Sequence, residues 1–105
     1  MDRLLEAVKA IGLPFAYDHF AEGEAPEPPF LCYLFPGSHN FSADGTVYLK
    51  ISEVHIELYT DKKDVLLEER VETVLEQQGF FYDKLETWIE SERLYEVLYN
   101  FEMEV

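Results

Sequence analysis

The stretch from 94 to 105 constrains this chain more than any other. Tyr95, Val97, Tyr99, Phe101, Met103 and Val105 fall on one parity. Glu96, Asn100, Glu102 and Glu104 fall on the other, and Leu94 and Leu98 join them. A period of two, apolar on one side and acidic on the other, is the pattern of an antiparallel strand with one face in a core and one in water. Such a strand needs paired neighbours and a covering layer to persist.

Its nearest partner is 80–90, where Phe80, Tyr82 and Trp88 share one parity and Phe81, Leu85 and Ile89 the other. Ser91-Glu92 supplies the turn of a hairpin over 80–105. A second, longer hairpin is expected over 30–59. Phe30 to Phe35 is an apolar run between Pro29 and Pro36-Gly37, as in a strand buried on both faces. Val47, Leu49 and Ile51 then alternate with polar neighbours, but the apolar phase shifts to Val54, Ile56 and Leu58. Strand parity does not change by itself, so a bulge or bend near Ser52-Glu53 is expected. Asp44-Gly45 is a good turn dipeptide, and the segment around it has room to extend beyond the body of the domain.

Two segments carry helical spacing. In 2–11, Asp2 is the N-cap candidate, Leu4, Leu5, Val8 and Ile11 share a face, and Gly12 and Pro14 end the helix. In 64–78, Asp64 caps the start, and Leu67, Val71, Val74, Leu75 and Gln78 follow the 3.6-residue period up to Gly79. Lys62 and Lys63 stand at the electrostatically wrong end of that helix, which suggests pairing with nearby carboxylates. Residues 12–29, with Gly23, Pro26, Pro28 and Pro29, read as a connecting loop. The expected product is one α+β domain over 1–105 in the order α-β-β-α-β-β, a four-stranded, mainly antiparallel sheet with both helices on one face.

The chain has 8 basic and 22 acidic side chains, a net charge of -14, and its hydrophobic (48%) and aromatic (15%) content is ample for a core. Binding to nucleic acid or an anionic membrane is disfavoured, since both need clustered Lys and Arg. No apolar stretch reaches the length of a membrane span, and the N-terminus is unlike a signal peptide, so cytoplasmic synthesis is expected. The one cysteine, Cys32, lies in an apolar run and is expected to be buried and inert.

Candidates for chemistry are thin. His55 and Glu57 share a strand face about 6.6 Å apart, which a solvated charge pair explains; His19 and His39 lie in other kinds of segment. Glu22, Glu24 and Glu27 lack the ordered spacing of a calcium loop. Ser38 and Ser42 have no nucleophile-elbow glycines, and no phosphate cradle or zinc pattern is present. The sequence therefore points to no enzyme, cofactor or metal. The aromatics Phe35, Phe41, Tyr48, Tyr59, Trp88, Tyr95 and Tyr99 suit a core, and those that remain exposed suit a protein interface.

Ile11-Gly12-Leu13-Pro14, Pro28-Pro29-Phe30, Ser42-Ala43-Asp44-Gly45, the run from His55 to Asp64, Phe81-Tyr82-Asp83-Lys84 and Leu94-Tyr95-Glu96-Val97-Leu98-Tyr99 together resemble a known family. It comprises the small tail completion or head–tail joining proteins of long-tailed phages and prophages of Gram-positive bacteria. The resemblance implies an α/β subunit without catalytic residues that assembles as a ring, typically sixfold. Its partners would be further copies of itself, the tail tube protein and the head connector protein. It would reside in the host cytoplasm during assembly and in the virion neck thereafter, with DNA passing through an acidic lumen that repels it. An interface on Phe35, His39 and Phe41 is expected against a neighbouring subunit or the tube. The competing expectation is a soluble acidic adaptor, or DNA mimic, that binds one basic protein.

Overall fold

The computed structural model describes residues 2–104; the placement of Val105 on the last strand falls outside them, as do the side chains of Asp2, Ala43, Val47 and Tyr48. Two helices and seven strands follow in the order α1 (Asp2–Ile11), β1 (Phe15–Tyr17), β2 (Phe30–Leu34), β3 (Phe41–Ala43), β4 (Thr46–Leu49), β5 (Ile51–Thr60), α2 (Val65–Gln77), β6 (Asp83–Ile89) and β7 (Leu94–Glu104). The class is α+β as expected, but the main sheet has five strands rather than four, ordered β1-β2-β5-β7-β6. It is mixed: β1 runs parallel to β2, and the other pairs are antiparallel.

The added strand lies inside the segment expected to be loop. Phe15 to Tyr17 is too short to carry a periodic signal, and Pro14 precedes it. What holds it is cross-strand aromatic packing: Tyr17 meets Tyr33 edge-on at 5.3 Å between ring centroids, and Phe15 lies 6.3 Å from the same ring. The Tyr17 hydroxyl also accepts the Phe35 N–H at 3.2 Å.

The hairpin expected over 30–59 is also corrected. Its outer limbs do pair, Phe30 opposite Tyr59 through Leu34 opposite His55. Between them, however, β3 and β4 form a separate two-stranded sheet. The strand breaks at Lys50, and the β5–β7 register runs unbroken past Ser52-Glu53, so no bulge lies there. Val47 and Leu49 belong to the arm, Ile51 takes the outward parity of β5, and Val54, Ile56 and Leu58 take its core-facing parity. Asp44-Gly45 turns the arm with φ of 53° and 79°, the doubly left-handed geometry of a two-residue hairpin loop. The molecule measures 50 × 29 × 22 Å with a radius of gyration of 15.0 Å. A compact chain of this length would have about 13 Å, so the dimensions accord with an arm standing off the main sheet.

Both helices cover one face of the sheet. Leu4, Ala7, Val8 and Ile11 of α1 and Leu67, Val71 and Leu75 of α2 share a core with the inward parity of β5 and β7. The α1 stripe is centred one step away from the expected one, since Ala7 is fully buried and Leu5 only half-buried. Asp64 caps α2 as expected, its carboxylate accepting the Leu67 N–H at 3.0 Å. At the other end Gly79 adopts φ 77°, and the N–H groups of Gly79 and Phe80 return to the carbonyls of Glu76 and Leu75, both at 3.0 Å. That turn buries Phe80 against Phe101 and leaves Phe81 in solvent, so β6 starts at Asp83 rather than at Phe80.

The helices also cap each other. Arg3 of α1 donates to the Gln78 carbonyl at the end of α2, and Arg70 of α2 donates to the Ile11 carbonyl at the end of α1. Each guanidinium thus meets the negative end of the other helix. Gly12 serves this arrangement twice: its φ is 82°, and a Cβ there would lie 2.9 Å from Arg70 Nη2.

Candidate interaction site

With one face of the sheet under the helices, the strands display their other parity on an open face. Glu53, His55, Glu57 and Tyr59 of β5 stand opposite Glu102, Asn100, Leu98 and Glu96 of β7, and Asp83, Leu85 and Thr87 of β6 continue the surface. No Lys or Arg occupies the outward parity of the described strands of the main sheet. Two lysines are engaged on the helix side. Lys63 Nζ lies 2.7 Å from Glu68 Oε2 and also pairs with Glu86, while Lys84 Nζ lies 2.8 Å from Glu68 Oε1 and 2.7 Å from Glu72. The expected pairing of Lys63 with carboxylates is therefore present.

Two polar clusters on the open face went unrecognised in the sequence. In the first, the Tyr59 hydroxyl lies 3.0 Å from Glu57 Oε1 and 2.9 Å from Glu96 Oε2. A hydroxyl has one proton, so it donates to one carboxylate at a time. Burial, first, and the charge of Glu96 raise the Glu57 carboxyl, against the hydrogen bond from Tyr59, which lowers it. Burial and both carboxylates push the Tyr59 phenol far up, so it stays a donor. In the second, His39 stands at the root of the arm, its Nε2 2.9 Å from Glu53 Oε1 and its Nδ1 2.9 Å from Glu102 Oε1. Only the doubly protonated ring satisfies both carboxylates. Backbone bonds from the His39 N–H to Ile51 O and from the Glu53 N–H to Gly37 O, each 2.9 Å, fasten the same root.

The three residues expected at an interface occupy three different settings. Phe35 is half-buried, 5.9 Å from Tyr17 and 6.4 Å from Tyr33 between ring centroids. His39 clasps the arm to β5 and β7. Phe41, at the start of β3, leaves 61% of its surface exposed. Among the aromatics expected to fill the core or, where exposed, to suit an interface, Tyr99 is fully buried and donates to Glu72 Oε2 at 2.8 Å, whereas Trp88 remains 41% exposed on edge strand β6. His55 and Glu57 do share the open face, but Glu57 takes its hydrogen bond from Tyr59. His19 pairs instead with Asp18, at 2.8 Å.

Among the described residues no three His, Cys, Asp or Glu side chains come together as metal ligands. Cys32 is buried, and burial, with the charge of Glu57 behind it, raises its thiol to about 11, which keeps it in the unreactive form. The site offers charge, exposed rings and sheet edges, the materials of assembly.

No family model and no curated protein matches the chain. Its fold does have a counterpart among solved structures. A chain of the virion of a native gene transfer agent particle aligns with a TM-score of 0.68 over 99% of this chain and 89% of its own, at 11% sequence identity. At that identity the likeness is one of fold.

Proposed function

We propose that this chain is a non-enzymatic structural protein of a phage-like virion, placed at the neck. There it caps the tail tube, joins it to the head connector, or does both, as a ring of copies. The observation that carries this reading is the near end-to-end correspondence of its fold with a virion chain, which leaves little of either chain unaccounted for. Ring contacts require two complementary patches on each subunit, and a protruding arm together with the free edge of β6 supplies two different ones. The net charge of -14 suits a passage through which DNA slides without adhering.

Negative-stain microscopy of an induced lysate, with a stop codon in this gene of the parent phage, tests the reading. Filled heads beside separate, overlong tails are expected for a terminator, and separate tails of normal length for a joining protein. Intact, infectious virions would defeat the neck assignment and favour an acidic adaptor.

The arm makes a second expectation. His39 N–H bonds to Ile51 O, and Asn40 Oδ1 accepts the Ile51 N–H at 3.3 Å, so the two ends of the arm are adjacent. Replacing residues 41–49 with two glycines should leave thermal unfolding nearly unchanged while abolishing attachment of heads to tails. Normal joining by the shortened protein would remove Phe41 and the arm from the interface.

A further inference from the structure

A second surface, apart from the arm, lies at the far end of the open sheet face. Phe30 and Cys32 point to that face, yet both are buried, because the segment between β1 and β2 folds over them. Phe20 packs edge-on against Phe30 at 5.3 Å, and Phe30 stacks on Tyr59 at 5.1 Å. The covering is incomplete. Between this segment and the β6–β7 turn remains an open cleft of about 260 Å³. Its walls are the rings of Phe20, Phe30 and Tyr59 and the aliphatic side chains of Ile89 and Leu94, and Asp18 and Glu92 also line it.

Charge decides what such a cleft would accept. Asp18 already holds His19, but the Glu92 carboxylate has no hydrogen bond or ion pair among the described residues. The outward strand positions of the adjoining sheet face carry Glu53, Glu57, Glu96 and Glu102 and no Lys or Arg. The cation beside the cleft in sequence is the exposed Arg93 of the β6–β7 turn, which does not line it. An apolar channel with an acidic lining complements a side chain with an apolar stem and a cationic tip, and aromatic walls favour the flat guanidinium over the ammonium. We propose that this cleft is a docking site for a basic protein segment, in which an arginine of the partner lies along Phe20, Phe30, Ile89 and Leu94 and ends at Glu92. The site is independent of the neck assignment and would serve a virion subunit or an adaptor equally.

The test is a titration of the isotope-labelled full chain with the peptide acetyl-Leu-Arg-Gly-Arg-Leu-amide, followed by amide chemical shifts. A matched peptide carries neutral citrulline at both arginine positions. Saturable shifts are expected at Phe20, Ile89, Glu92 and Leu94 with the arginine peptide and none with the citrulline peptide. Glu92→Gln should weaken binding about fivefold, the upper range for one exposed ion pair. Glu6→Gln, which removes the same charge from the exposed side of α1, should leave it unchanged. Equal weakening by both substitutions would reduce the effect to diffuse attraction and overturn the proposal. So would equal binding of the citrulline peptide, or cleft shifts that follow protein concentration without peptide, which would identify a second copy as the occupant.

Discussion

Ile56→Ala should lower the midpoint of thermal unfolding by roughly 15 °C, as a loss of about 3 kcal/mol does in a domain near this size. Ile56 is fully buried in β5, the strand flanked by β2 and β7. It stands opposite Tyr33 on one side and Tyr99 on the other. A cavity there is walled by hydrogen-bonded ladders and closed by two helices that cap one another, so little can move in to fill it. Removing about 3 kcal/mol is a large part of the margin by which a small domain is folded. Leu66→Ala, at a position 78% exposed, is the matched comparison and should shift the midpoint by no more than about 2 °C. Similar shifts for the two variants, read by circular dichroism, would mean that the core does not run through β5 as described.

The second large effect is electrostatic and centres on Glu68. Its side chain is only 3% exposed, and it holds Lys63 and Lys84 together. Burial by itself would raise the carboxyl, but hydrogen bonds from Lys63 and Lys84 outweigh burial and hold it below its ordinary value. A carboxyl lowered by folding contributes stability above its unfolded value of about 4.5, and that contribution disappears as pH falls through the folded value. Both lysines are raised, Lys63 chiefly by Glu68 and Lys84 by Glu68 and Glu72 against its own burial. Their contribution is present below about 10.5 and is lost at higher pH.

Glu68→Gln should therefore cost about 2 kcal/mol near pH 7. That figure lies below the usual loss for a broken buried pair, because both ammonium groups are partly in solvent and keep other carboxylates. The gap between wild type and variant should close as pH falls from 4.5 through the lowered folded value, below which a protonated Glu68 resembles glutamine. Glu57 acts in the opposite sense. Its folded value is raised, so acid favours the folded state through it and softens the acid limb of both proteins alike. Urea unfolding between pH 3 and 7 reads the gap directly. A gap that stayed constant across this range would mean that Glu68 contributes by packing rather than by charge.

The contacts of Ile56 and the Lys84 half of the Glu68 cluster join separate elements, and this is where legibility ended; Lys63, five residues before Glu68, was still within its reach. The alternation from Leu94 to Glu104 gave away a half-buried strand because strand parity is local. The ends of α2 were legible for the same reason, since Asp64 and Gly79 satisfy backbone groups within a few residues of themselves. The acidic character of the open face was likewise present in the parity of β7, once that strand was recognised.

Adjacency was not legible. Residues 15–17 become a strand only beside β2, through ring contacts with Tyr33, and no three-residue pattern announces that. The apolar phase shift after Ile51 was visible, but one sequence cannot say whether a strand bends or passes from one sheet to another. Phe35, His39 and Phe41 looked alike as neighbours along a turn. The tertiary structure packs the first on Tyr17, clasps the second between Glu53 and Glu102 and exposes the third. The clasp required the β5–β7 register, and the cleft required a loop to close over Phe30. Periods, caps and turns are settled by energies within a few residues and are written in the sequence. Which strands lie side by side, and what their side chains meet, depends on how the chain closes around one core, and only the folded molecule decided it.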